Sequence, residues 1–212
     1  MNRRFIVVIT LAAACGKKDD GAENAKSGKP AATIDVAGIN ALVPATLQDE
    51  LVFEQREVVT DHTGGGSGPK VRFTVAVPKS WERKPYGIVD DFAALGPPAS
   101  SKLDGSIQFS LKSACKQDGI CLVQDSKAWA ELADKEVFAT YRRDGIVFER
   151  DEVRPNDRLA ILRSDSARYV VYVWWQDGGK RYRICWTKLS GAVQVAAQAF
   201  EKSCRAVAVA GE

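Results

Sequence analysis

The 212-residue chain contains a single histidine, His62. A Ser-His-Asp or Cys-His nucleophile therefore has one base available to it. That base stands beside the run Thr63-Gly64-Gly65-Gly66-Ser67-Gly68-Pro69-Lys70, where precise positioning is hard to achieve. The same scarcity argues against a zinc site, because zinc knuckles draw several Cys and His from short, regular spacings. The glycine run is not a phosphate loop either: a P-loop needs Gly-Lys followed by Ser or Thr and then a helix, whereas Pro69-Lys70 leads into a strand. No apolar run reaches the roughly 20 residues that a membrane-spanning helix requires. An excess of one charge is also missing, since 30 Lys and Arg face 27 Asp and Glu for a formal net charge of +3. Arg3 and Arg4 fall in a segment expected to be removed, which leaves the mature chain nearly neutral. Near neutrality argues against a broad nucleic-acid footprint, which needs clustered cations to displace counterions from phosphates. No cofactor and no metal are expected.

What is present begins at the N-terminus. Asn2-Arg3-Arg4 is basic, residues 5–14 are unbroken apolar or small, and Cys15 follows at once. That is the tripartite layout of an export signal. The run Leu11-Ala12-Ala13-Ala14-Cys15-Gly16 resembles a bacterial lipobox, in which the Cys takes a diacylglyceryl thioether and becomes the new N-terminus. Ala12 occupies the place where a lipobox usually has a large aliphatic residue, and Ala12-x-Ala14 also fits ordinary signal cleavage, which would leave Cys15 free. The resemblance implies lipidation at Cys15 (diacylglyceryl and palmitate chains), a membrane anchor and a cell-envelope address. Gly16, in place of an Asp, resembles outer-membrane sorting. Acyl chains contribute about 0.8 kcal/mol per buried CH₂, so a multiply acylated N-terminus is a stable anchor. Residues 16–33 hold Lys, Asp, Gly, Ala and Ser with no aromatic residue, and are expected to form a disordered tether.

Setting Cys15 aside leaves Cys115, Cys121, Cys185 and Cys204, an even number in a chain bound for an oxidising compartment. Two disulfides are expected. Four cysteines allow three connectivities. Cys115 and Cys121 flank the turn-forming Asp118-Gly119, which favours a local bridge, and Cys185 then pairs with Cys204.

The folded part, residues 34–212, reads as one α+β domain. Strands are expected over residues 51–61 and 71–77 as a hairpin, and over 106–112. A helix is expected over 126–142, where Trp129, Leu132, Ala133, Val137 and Tyr141 recur at helical spacing. Four further strands, 146–153, 158–163, 168–175 and 181–189, are separated by turn-forming residues and read as an antiparallel meander. The closing helix carries Val193, Ala196, Ala197, Phe200 and Cys204 on one face, with Ser190 as its N-cap. Docking that face on the sheet brings Cys204 within reach of Cys185. The architecture is then a mostly antiparallel sheet covered by helices.

Val77-Pro78-Lys79-Ser80-Trp81-Glu82 after an early strand, and Ala199-Phe200-Glu201-Lys202-Ser203-Cys204 in the closing helix, resemble the PsbP-like α/β/α sandwich over residues 51–209. Proteins of that group serve largely as accessory, assembly or binding proteins, so the resemblance implies a non-catalytic module; the first functional reading is an envelope binding or assembly module that holds a protein partner with residues 79–101 or an exposed sheet edge. Residues 79–101 read as a long irregular segment holding Pro85, Pro97 and Pro98, and Trp81, Tyr86 and Phe92 within it are the candidate partner-binding residues. The alternative is that Trp81 and Phe92 fold the segment onto the core.

An envelope hydrolase is the second functional reading. Its acid and base would come from Asp90-Asp91, Asp134/Glu136 or Asp151-Glu152. Neighbours on a strand point to opposite faces, and Asp134 and Glu136 should line a solvated helix face, so none of these pairs converges in the sequence reading. Trp174 and Trp175 must face opposite sides of their strand, which implies a sheet covered on both faces. Arg168, Arg181 and Arg183 form either a basic stripe or cross-strand ion pairs.

Overall fold

A computed structural model describes residues 33–60, 71–84, 92–113, 126–175 and 181–209. The Val- and Phe-rich runs at the start pair as expected. β1 (Phe53–Val59) and β2 (Arg72–Pro78) are antiparallel, with Arg56 opposite Val75. A two-residue strand near the C-terminus, β10 (Ala208–Val209), adds to the free edge of β2 and completes a three-stranded sheet.

The larger sheet has seven strands in the order β3-β4-β5-β9-β8-β7-β6. Its strands are β3 (Glu82–Arg83), β4 (Phe92–Gly96), β5 (Asp104–Ser113), β6 (Val147–Val153), β7 (Asp157–Arg163), β8 (Ala167–Trp175) and β9 (Arg181–Ser190). All neighbours run antiparallel, and β6 to β9 form the predicted meander. Residues 79–101 are not irregular throughout, because β3 and β4 lie within them. The reason is burial on both sides: Ala93, Ala94 and Leu95 are all buried, so β4 lacks the apolar-polar alternation that marks a half-buried strand.

Strand alternation divides the interior into two cores. In β8, Val171, Val173 and Trp175 point to one face while Val170, Tyr172 and Trp174 point to the other. The first core holds Val170, Phe109, Cys185 and Leu189 from the large sheet. It is closed by β1 and β2, by the short helix α1 (Val36–Asn40), and by α4 (Ala197–Arg205), which a 3-10 turn (Gly191–Ala196) precedes. Phe200 lies 5.1 Å from Phe53 and 5.2 Å from Trp81, centroid to centroid. Val193, Ala196, Ala197, Phe200 and Cys204 are all buried, the face that helical spacing selects. Cys204 forms the disulfide with Cys185, with Cα atoms 5.5 Å apart, and so ties α4 to β9. Ser190 stands at the N-cap position of the 3-10 turn without capping it through its side chain. Its backbone is extended and it ends β9.

The second core lies on the opposite face. It is covered by one helical segment in three parts: α2 (Ser126–Ala133), a π-helical turn (Asp134–Phe138) and α3 (Ala139–Arg143). Trp129, Ala133 and Phe138 are buried against Ala160, Leu162, Val171, Val173, Trp175 and Tyr182. Uninterrupted α-helical phase would put Val137 on this face after Ala133. The π turn inserts one residue, so Phe138 is buried and Val137 is only half-buried. The fold is thus α+β, with an antiparallel sheet covered on both faces.

Candidate functional site

The structure places Trp81 in the first core, 1% exposed. Its backbone N–H donates to the Pro78 carbonyl at 2.9 Å, and its own carbonyl accepts from the Arg56 guanidinium at 2.7 Å. It therefore offers no surface to a partner, because Phe200 of α4 packs on its ring within the first core. Phe92 opens β4 opposite Ser110. Tyr86, Asp90, Asp91, His62, Cys15 and the Cys115/Cys121 pair lie outside the described residues.

Of the two readings of Arg168, Arg181 and Arg183, the basic stripe does not form. Arg168 stands opposite Leu189 and Arg183 opposite Trp174, near opposite ends of the β8–β9 ladder. Arg168 pairs with Glu149 at 2.9 Å, while burial pushes the Arg183 guanidinium pKa down.

Two charged clusters stand out instead, and each draws on carboxylates that the sequence grouped differently. The first is centred on Arg158 of β7, whose side chain is only 6% exposed. Its Nε and Nη2 donate to the two Asp151 oxygens at 2.8 and 2.6 Å, and its Nη1 donates to Asp134 at 2.7 Å. The guanidinium carbon sits 4.1 Å from the Phe138 ring centroid. Asp134 also accepts from Arg142 of α3 at 2.7 Å. Hydrogen bonds from Arg158 and then Arg142 hold the Asp134 carboxyl below the ordinary carboxylate range. Asp134 and Asp151 belong to different sequence clusters, yet they converge across β6, β7 and the π turn. Strand pairing brings Asp151 opposite Ala160, two residues from Arg158, and the π turn aims Asp134 at the same guanidinium.

The second cluster lines a cleft of about 270 Å³ bounded by Leu42, Arg150, Gln198, Glu201, Lys202 and Arg205. Arg205 donates to Glu152 at 2.6 Å and to Glu201 at 3.2 Å. Arg150 pairs with Glu201 and with Glu152, the latter at 3.3 Å. Lys202 donates to Asp35 at 2.8 Å, joining α4 to the cap of α1. Desolvation pushes the Glu152 carboxyl up, but the Arg205 hydrogen bond and the charges of Arg205, Arg150 and Arg154 outweigh it and leave the pKa lowered. The β-bulge between Phe148 and Arg150 lets Phe148 pack on Phe138 in one core while Arg150 reaches α4 on the other face.

Chemically, these arrangements hold carboxylates ionised. A general acid needs a carboxyl pushed upward by burial or a like charge, and Asp134 and Glu152 are shifted the opposite way. Among the described residues no group of three or more His, Cys, Asp or Glu is placed to hold a metal ion. No helix among them is long and apolar enough to cross a membrane.

No protein-family profile matches the chain, and no curated protein matches it. Two solved structures are similar in part. One is a point mutant of the protein Mog1, at 9% identity and TM-score 0.47, with 73% of this chain and 95% of that chain covered. The other is the Saccharomyces cerevisiae Ran-binding protein Mog1p, at 12% identity and TM-score 0.42, with 73% of this chain and 88% of that chain covered.

Proposed function

We propose that the chain is a lipid-anchored protein of the bacterial cell envelope, held in the outer membrane, that acts as a non-catalytic binding or assembly module. The observation that carries the anchor is the junction itself: Arg3-Arg4, an apolar run through Ala14, and a cysteine at the point where an export signal ends. The observation that favours a binding role is the state of the carboxylates, since Asp134, Asp151, Glu152 and Glu201 are each engaged by a guanidinium. The sandwich of sheet and helices is also the kind of scaffold that the PsbP-like resemblance implies.

The described part enters the fold at α1, and Leu42, just beyond it, lines the charged cleft.

Fractionation of cells expressing the wild-type chain and Cys15→Ser tests the anchor: the wild type sediments with membranes and resists high salt, and the variant is released with the soluble fraction. Retention of Cys15→Ser in the membrane would count against it. Complementation of a deletion strain by Glu136→Gln and Glu152→Gln tests the non-catalytic role. Both variants are expected to restore the phenotype, whereas a folded variant that fails to do so would favour hydrolase chemistry.

A further inference from the structure

We propose that the helical segment running from α2 through the π turn to α3 is a separately opening cover on the large sheet, latched by Arg158 and released when Asp134 loses its charge. Three observations carry this. The cover packs on its own core, in which Trp129 lies 6.3 Å from Trp175 and 5.6 Å from Tyr182, while the disulfide, α1 and α4 all stand on the other face. The segment rejoins the sheet through a single tight turn, in which Gly145 has φ +70° and the Gly145 and Ile146 N–H groups donate to the Arg142 and Tyr141 carbonyls at 3.1 and 3.0 Å. The latch itself is a buried cation shared between the cover and the sheet, with Asp134 supplied by the cover and Asp151 by β6.

The groups facing Asp134 are Arg158 from β7 and Arg142 from α3, with Asp151 of β6 across the guanidinium. Lys135 and Glu136 of the π turn pair with each other at 3.9 Å. Two cations thus balance two carboxylates. Neutralising Asp134 leaves a nearly buried guanidinium compensated by Asp151 alone, a state that exposure to water relieves. Opening the cover provides that exposure and bares the sheet face that carries Trp175 and Tyr182. The shift at Asp134 sets the direction. Its carboxyl is held below the ordinary value of 3.8, so the latch is complete above that pH and is lost as pH falls through the depressed value.

Amide hydrogen exchange, resolved by segment, tests the proposal on the intact domain at neutral pH. In Asp134→Asn the amides of 126–143 are expected to exchange on the order of tenfold faster or more, the factor that losing one charge-assisted hydrogen bond corresponds to. Those of β5, β9 and α4 should stay unchanged. Adding Arg158→Met removes the uncompensated cation and is expected to restore most of the protection, which a purely local packing defect would not show. A parallel acid titration of the wild type should release 126–143 in a step that precedes the rest. Equal acceleration across all segments, no change in 126–143, or no recovery in the double variant would each overturn the proposal.

Discussion

At the scale of single residues, the buried polar groups define what this protein does with charge. Arg158 of β7 and Arg183 and Thr187 of β9 are polar side chains buried among apolar neighbours. Thr187 donates no charge and simply accepts from the Val170 backbone N–H at 2.9 Å. Arg158 is held by two carboxylates and a ring face. Tyr182 is a phenol in the second core beside Trp129, and burial, reinforced by the charge of Glu136, pushes its pKa to about 12. Burial also raises the Tyr141 phenol strongly, against the hydrogen bond that it accepts from Trp186.

A raised folded-state pKa means that the unfolded chain loses its proton first. The stability that these phenols contribute is therefore complete below pH 10 and is lost as pH rises toward and past 12. Urea midpoints measured across that window should fall steadily in the wild type, and Tyr182→Phe should flatten the slope. An unchanged slope in that variant would show that the ring is not held neutral by the core.

At the scale of elements, the long periodic runs were legible and the short ones were not. The β1–β2 hairpin, the four meander strands and the buried face of α4 were legible because each is a long run of β-branched, aromatic or helically spaced apolar residues bounded by turn-forming ones, even where, as in β2 and β8, both faces are covered. α1, the 3-10 turn Ala45–Leu47 and β10 hold five, three and two residues, too few for any period to show. The phase slip in the cover was also invisible, since the pattern Trp129, Ala133, Val137 reads as a regular helix and only docking of Phe138 reveals the extra residue. The Arg158 cluster was missed for a related reason. Asp134 and Asp151 lie in different elements, and only the register of β6 on β7 brings them to one guanidinium. Its one sequence signal was an arginine at the start of a strand whose next two residues are apolar.

The bridge between Cys185 and Cys204, in contrast, followed from the face on which Cys204 lies. It closes a loop with a sequence separation of 19 and pins α4 to β9, so replacing both cysteines with alanine should cost about 3 kcal/mol. Chemical denaturation of the double variant under oxidising conditions measures that loss. Because both sulfurs are buried, the wild type should keep its bridge under mild reductant until it unfolds. A variant as stable as the wild type would mean that α4 is held by its apolar face alone.

At the scale of the whole molecule, the structure separates two jobs. One face of the large sheet is locked to the small sheet and α4 by a disulfide and a continuous aromatic core. The other carries a cover held by its own smaller core, the shared Arg158 cation, the Trp186–Tyr141 hydrogen bond and the stacking of Arg142 on Phe148. The edge strand β6 exposes Val147 and Val153 but carries Glu149, Arg150, Asp151 and Glu152 between them, together with a bulge, which disfavours pairing with another strand.

The claim on which the address rests is a thioether at residue 15. Intact-mass measurement of the protein extracted from membranes with detergent tests it most directly. The expected result is a chain that begins at Cys15 and is heavier than its residues by a diacylglyceryl group and fatty acyl chains. A chain of bare residue mass, or one that retains the first fourteen residues, would contradict it.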